Sequence, residues 1–202
     1  MSQPLVITVE NNDCELAKIY FHWSAYTVSA LDETRKVVKA LEQCKGKNNR
    51  DIQLALIRFC EKSGGGIDRS NDARECEYVQ QLYPDETFLS DGYSRNQGLI
   101  AISETGMYSL QAHSCGDVYI NIEDENIDFC LSFEYESLEE YNRQRKSWDK
   151  EFKELASEEI PEISHSLYSF KMKDAEKIFL ELNGLDGDIT VVRHGKTIIE
   201  IS

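Results

Sequence analysis

Leu99-Ile100-Ala101-Ile102, Met107-Tyr108-Ser109-Leu110, Val118-Tyr119-Ile120-Asn121-Ile122 and Ile127-Asp128-Phe129-Cys130-Leu131-Ser132-Phe133 follow one another with turn-sized gaps between them. The runs are rich in β-branched and aromatic residues. The gaps hold turn formers: Ser103-Glu104-Thr105-Gly106, Ser114-Cys115-Gly116-Asp117 and Asp124-Glu125-Asn126. This spacing predicts an antiparallel meander of about four strands.

Upstream, Leu5-Val6-Ile7-Thr8-Val9 reads as a short buried strand and Ala17 to Trp23 as a second, with the polar turn Glu10-Asn11-Asn12-Asp13 between them. Together they form an expected N-terminal hairpin. Ser29 stands where an N-cap would, ahead of Leu31, Val37, Val38 and Leu41, with Asp32 and Glu33 in the first turn. Lys45 to Asn49 interrupts that helix. A second, carried by Ile52, Leu54, Leu56, Ile57 and Phe59, stops at Ser63-Gly64-Gly65-Gly66.

From residue 67 to 97 apolar residues thin out, leaving room for one short helix, Ala73 to Tyr83, before Pro84. Downstream of the meander, Leu138 to Ala156 predicts a charged helix ended by Ile160-Pro161, and Lys173 to Leu182 another closed by Asn183-Gly184. Ile189 to Val192 and Thr197 to Ile201 read as a C-terminal hairpin. Strands and helices are segregated rather than alternating, so the expected class is α+β: a meander with terminal hairpins and about four helices packed on it. The chain reads as one domain over 1–202, with 1–66 and 98–202 as candidate sub-lobes joined by the polar loop region 67–97.

With 37 acidic residues against 22 basic ones, the 202-residue chain carries a formal charge of -15, which argues against coating a nucleic-acid polymer. A hydrophobic fraction of 41% is too high for a disordered acidic chain. No apolar run reaches the roughly 18 residues that suggest a membrane span, so no membrane is expected as a partner. Met1 to Asp13 lacks a basic n-region and an apolar h-region, so the expected location is the cytoplasm. Cysteines 14, 44, 60, 76, 115 and 130 and histidines 22, 113, 165 and 194 are scattered, with no Cys-x-x-Cys pair. That pattern predicts reduced thiols and neither a metal site nor a cofactor.

Two segments could hold chemistry. In Ser63-Gly64-Gly65-Gly66-Ile67-Asp68-Arg69-Ser70-Asn71, glycines let backbone approach a phosphate and successive N–H groups can form an anion nest. Arg69, Arg74 and Arg95 would add bidentate phosphate contacts, and Tyr93 a stacking face. The plainer reading is a helix C-cap followed by a loop, and the order is wrong for a P-loop. The second segment is Tyr20-Phe21-His22-Trp23-Ser24-Ala25-Tyr26. Here His22 is a candidate base or ligand donor and Tyr26 a ligand-facing ring, while Trp23 is expected to pack; the plainer reading is a core corner. No Gly-x-Ser-x-Gly elbow is present.

Lys18 to Tyr26, followed by a helix, resembles the opening of a family of small uncharacterised phage and bacterial proteins in which a strand ends in His-Trp-Asp-Gly-Tyr-Pro. His22, Trp23 and Tyr26 match that motif, whereas Ser24, Ala25 and Thr27 depart from it. The resemblance covers about the first third of the chain and implies a setting, the cytosol of an infected cell, without a mechanism. Small acidic phage proteins of this sort resemble counter-defence factors that sequester a nucleotide signal or occlude a host protein.

The leading expectation is therefore a non-catalytic binding protein for a phosphate-bearing small molecule such as a nucleotide signal, using Gly64, Gly65, Gly66, Arg69, Arg74, Arg95, Tyr93, His22 and Tyr26. The alternatives are an acidic inhibitor that covers a basic surface of a host nucleic-acid enzyme, and a phosphoester hydrolase that uses His22. The apolar closing strand, Thr197 to Ile201, would allow a homo-oligomer if it lies at a sheet edge.

Overall fold

Leu5–Asn11 (β1) alternates its side chains between two covered faces. Leu5, Ile7 and Val9 join one apolar cluster, and Val6 belongs to a second. A strand buried on both faces belongs in the interior of a sheet, and β1 has a neighbour on each side. Cys14–Phe21 (β2) runs antiparallel to it through the two-residue turn Asn12-Asp13, both with positive φ (51° and 56°), as a tight hairpin turn requires. Gly116–Asn121 (β6) pairs with β1 on its other side, in parallel.

The computed structural model describes residues 4–25, 27–68, 89–90, 98–102, 104–112, 114–131, 167–183, 191–193 and 199–201. Its further elements are helices Thr27–Glu42 (α1) and Asn49–Lys62 (α2), strands Gly66–Asp68 (β3), Leu89–Ser90 (β4) and Leu99–Ala101 (β5), helix Glu104–Gln111 (α3), strands Asn126–Leu131 (β7) and Leu167–Lys171 (β8), helix Ala175–Asn183 (α4), and the short strands Val191–Arg193 (β9) and Ile199–Ile201 (β10). The fold is mixed α+β. The main sheet has the order β4-β3-β5-β2-β1-β6-β7-β8, and among the described residues β9 pairs with β10 alone. One apolar cluster takes residues from Leu5 to Phe179, uniting both ends of the chain under α1, α2 and α4.

Several expectations change. Met107 to Leu110 is helical, because the three-residue spacing sets Met107 and Leu110 on one side of α3, against Val6, Tyr20, Leu99 and Ala101. The meander is not one: β6 lies beside β1, so β5 and β6 are separated in the sheet by β2 and β1. Helix α1 starts at Thr27, which places Ser29 inside it rather than at its cap. Strand β8 has no counterpart among the expected elements. The helices expected over 73–83 and 138–156 lie outside the described residues.

Helix α2 starts at Asn48, whose side-chain oxygen accepts from the Asp51 N–H at 3.0 Å. Helix α4 is fastened to α1 by Arg35, which pairs with Asp32 and Glu176 and lies 4.1 Å over the Phe179 ring.

Where α2 runs into β3, the backbone comes close to β5. The Gly65 N–H donates to Cys60 O at 2.9 Å, and the Gly66 N–H donates to Gly98 O at 3.1 Å. A Cβ on Gly65 would sit 1.9 Å from Gly98 O, with no flexible side chain to give way. Gly46, by contrast, has φ +78° and open space around its missing Cβ. Gly65→Ala is expected to cost about 3 kcal/mol or more in urea unfolding, at or beyond the top of the range for overpacking. Gly46→Ala should cost about 1–2 kcal/mol from the left-handed backbone alone. Equal costs at the two positions would contradict the close approach.

Candidate functional site

Strand β2 sends Lys18 and Tyr20 to the face opposite α1 and α2, while Ile19 and Phe21 enter the main core. At its exit the chain turns at His22-Trp23, and Ser24 and Ala25 are fully buried again before α1 begins. His22 and Trp23 therefore form a surface corner between two buried stretches. The Tyr20 side chain, 2% exposed, places its hydroxyl 2.8 Å from His22 Nδ1. The Trp23 ring stands perpendicular to the imidazole, with centroids 4.9 Å apart and an interplanar angle of 84°. Trp23 is 43% exposed. The expectation that it packs is thus only half met: one side braces His22 and a large part of the indole faces outward.

The register extends this end of the sheet. Leu99, Tyr20, Val6, Asp117 and Cys130 are successive partners across β5, β2, β1, β6 and β7. Asp117 thus shares a face with Tyr20, one strand beyond Val6. Its carboxylate accepts from Gln111 Nε2 at the end of α3 and from Ser114 Oγ at 3.2 Å. Burial pushes the Asp117 carboxyl up from the usual range, opposed by those two hydrogen bonds and by the charge of Lys18. With its amide nitrogen turned to Asp117, Gln111 leaves its Oε1 buried and unpaired among the described residues.

In the next row of the same face, Lys18, Thr8, Tyr119, Asp128 and Ser169 are polar partners across β2, β1, β6, β7 and β8, with apolar Ala101 opposite Lys18 on β5. Lys18 is nearly buried, 2.9 Å from Glu15 Oε2 and 3.3 Å from Thr8 Oγ1, so its ammonium is paired rather than stranded.

The glycine run has a backbone role. Gly64, at φ +84°, donates its N–H to Glu61 O, Gly65 donates to Cys60 O and Gly66 to Gly98 O. All three N–H groups are engaged within the chain, so the nest expected of them is replaced by a helix C-cap and a strand entry. Register nevertheless brings the run to the end of the sheet that holds His22, since Gly66 pairs with Leu99 and Leu99 with Tyr20. Arg69, Arg74, Tyr93, Arg95 and Tyr26 lie outside the described residues.

Cys14, Cys44, Cys60 and Cys115 are free thiols. Burial pushes Cys60 far up and Cys44 up, which removes both as nucleophiles near neutrality. Among the described residues no three of His, Cys, Asp and Glu stand together as metal ligands, and no helix is long and apolar enough to cross a membrane. Comparison with protein-family models, curated proteins and solved structures found no match.

Sequence reading missed Asp117, Gln111 and Ser114. No local motif marks them; only the parallel pairing of β6 with β1 sets Asp117 beside Tyr20's row. The raised carboxyl has a consequence for stability. A group that holds its proton more tightly in the folded state contributes fully below its unfolded value, and that contribution is lost as pH rises through the folded one. Asp117→Asn does not titrate and keeps an acceptor for Gln111 and a donor for Ser114. Its stability relative to the parent chain should therefore increase as pH rises from the acid side of the carboxylate range to neutrality, read from urea melts at stepped pH. A difference that is flat, or that falls with pH, would contradict the burial of Asp117.

Proposed function

We propose that the chain is a non-catalytic binding protein for a phosphate-bearing small molecule with a planar base, a nucleotide being the leading chemistry, and that the corner at the exit of β2 is where it binds. The observation that carries this reading is the half-exposed Trp23 indole braced against His22, whose imidazole is in turn anchored from below by Tyr20. An exposed rigid ring offers a base a stacking surface, and a fixed imidazole offers a hydrogen bond. Gly64, Gly65 and Gly66 enter the reading by position alone, since Gly66 pairs with Leu99 and Leu99 with Tyr20 at the same end of the sheet, while their N–H groups are engaged within the chain. Arg69, Arg74 and Arg95 are the basic side chains the reading assigns to the phosphates, on the strength of their occurrence within one short polar stretch of an acidic chain. In the setting that the His-Trp resemblance suggests, such a protein would sequester a nucleotide signal.

The chain has two tryptophans, so in the Trp148→Phe variant fluorescence reports Trp23 alone. Titration with ATP, cyclic dinucleotides and inorganic phosphate should quench that signal for at least one base-bearing ligand. The effect should disappear in His22→Ala, and the ligand should be recovered intact after heat release. Absence of both quenching and calorimetric heat with all of them would sink the reading, and recovery of a cleaved ligand would turn it into an enzyme.

One observation favours the acidic-inhibitor reading as a second. Because β1 and β6 are parallel, their following turns leave the same end of the sheet, with Asp13 on one and Glu123, Asp124 and Glu125 on the other, all exposed. A basic protein surface is the complementary partner. Binding to a polylysine probe should weaken steeply with salt and fall in the Glu123→Gln/Asp124→Asn/Glu125→Gln variant; indifference to both would remove this reading.

A further inference from the structure

We propose that Tyr20 is a positioning residue that fixes His22 in the tautomer with its proton on Nε2, so that the nitrogen left for a ligand is a hydrogen-bond donor and the ligand atom it meets is an acceptor oxygen. The inference rests on the reading of the β2 exit as a binding corner and specifies its chemistry. Tyr20 and His22 are two residues apart in the chain and lie on the same side of it. The hydroxyl stands 2.8 Å from Nδ1, inside the range of a good hydrogen bond. Between a phenol and a neutral imidazole, the phenol is the stronger acid and the unprotonated ring nitrogen the stronger acceptor. The favourable arrangement is therefore Tyr20 O–H donating to Nδ1, which leaves the single imidazole proton on Nε2.

The rest of the corner keeps this arrangement in place. The Tyr20 ring is clamped from above by Leu110 and Met107 of α3 and laterally by Val6 and Leu99, so its hydroxyl is delivered by packed neighbours rather than by a mobile side chain. Trp23 stands perpendicular to the imidazole and limits rotation of the ring. A 180° flip of the ring would put a C–H against the Tyr20 hydroxyl and lose the bond. The outcome is a donor of fixed direction beside a half-exposed indole. That pair suits a phosphate or carbonyl oxygen on a molecule that also carries a planar ring, and it disfavours ligands that would present an N–H to His22.

The test uses the full chain, ¹⁵N-labelled, at a pH well above the ordinary imidazole range, with His22 assigned by its loss in His22→Gln. Long-range proton–nitrogen correlation should show a pyridine-type Nδ1 and a pyrrole-type Nε2. In Tyr20→Phe, which keeps the packed ring, the two nitrogens should move toward a mixture of tautomers while the melting curve stays cooperative. Affinity for ATP should fall roughly 3- to 10-fold, the equivalent of one neutral hydrogen bond. A proton on Nδ1 in the unsubstituted protein, or an unchanged tautomer in Tyr20→Phe, overturns the proposal; so does ATP binding that Tyr20→Phe leaves untouched. If the tautomer is as stated and no nucleotide or phosphate binds, the binding reading falls while the role of Tyr20 stands, so the two failures are told apart.

Discussion

The pairing of β1 with β2 on one side and β6 on the other is the constraint on which the remaining structure depends. Leu5, Ile7 and Val9 are fully buried beneath the helices, while Val6 and Thr8 are fully buried on the opposite face. A five-residue stretch hidden on both faces contributes apolar burial of about 2 kcal/mol for each large side chain, and it also determines what lies on either flank. The antiparallel partner brings the exit of β2 level with the start of β1. The parallel partner brings the start of β6 to the same level, where Cys115 N–H and Gly116 N–H both donate to Pro4 O at 2.7 and 3.2 Å. His22, Trp23 and Asp117 come to one end of the sheet for this reason and no other.

That arrangement explains why the face away from the main helices tolerates polar groups. Helix α3 covers it over Val6, Tyr20, Leu99 and Ala101, through Met107 and Leu110. Beyond that patch the polar side chains are partnered: Lys18 with Glu15 of its own strand and Thr8 of the next, Asp117 with Gln111 and Ser114, and Asn126 with Asp128 of its own strand and Ser169 of the next. Buried polar groups cost little when they are satisfied and a great deal when they are not. Gln111 Oε1 is the exception, and it marks where α3 is held to β6 by a carboxylate that burial has made reluctant to ionise.

How much of this could be read from the sequence follows from the range of the interactions involved. Strands β1 and β2 were legible because β-branched and aromatic content and the polar turn between them act over a few residues. So was α2, from its apolar run and its glycine stop; its capping Asn48 was seen only as part of the interruption before it. Met107 to Leu110 was misread because a four-residue apolar-rich run fits either period, and the decision lies with what it packs on, which includes Val6 and Tyr20 far away in the chain. The parallel join of β1 to β6 spans more than a hundred residues and leaves no local trace, so the false meander and the missed Asp117 have one cause. The glycine run allowed two readings, of which the geometry of the described residues matches the plainer one, a helix C-cap. Its peculiarity is the carbonyl of Gly98 at 1.9 Å from a would-be Cβ, a contact with a residue some thirty positions on. Trp23 was assigned to the interior because its neighbours belong there, and they do; the turn puts the indole outside.

The net charge of -15 looks at first hostile to any anionic ligand. Its distribution over the described residues is not uniform. The exposed carboxylates of Asp13, Glu123, Asp124 and Glu125 stand beyond the far ends of β1 and β6, whereas His22 and Trp23 stand beyond their starts. Strand β1 has seven residues, which at the usual rise separates the two ends by about 20 Å. The screening length in physiological salt is about 8 Å, so through solvent the acidic turns exert little field on the His22 corner. Part of their charge is also answered locally, by Lys45 at 3.4 Å from Glu125 Oε1 and by the Lys171 ammonium on the Asp124 carbonyl. The only described carboxylate in the row of Tyr20 is Asp117, and there burial works against ionisation. Among the described residues, a chain with a large negative total thus places little like charge at one end of its sheet, and that end is where the His22 imidazole and the half-exposed Trp23 indole stand together.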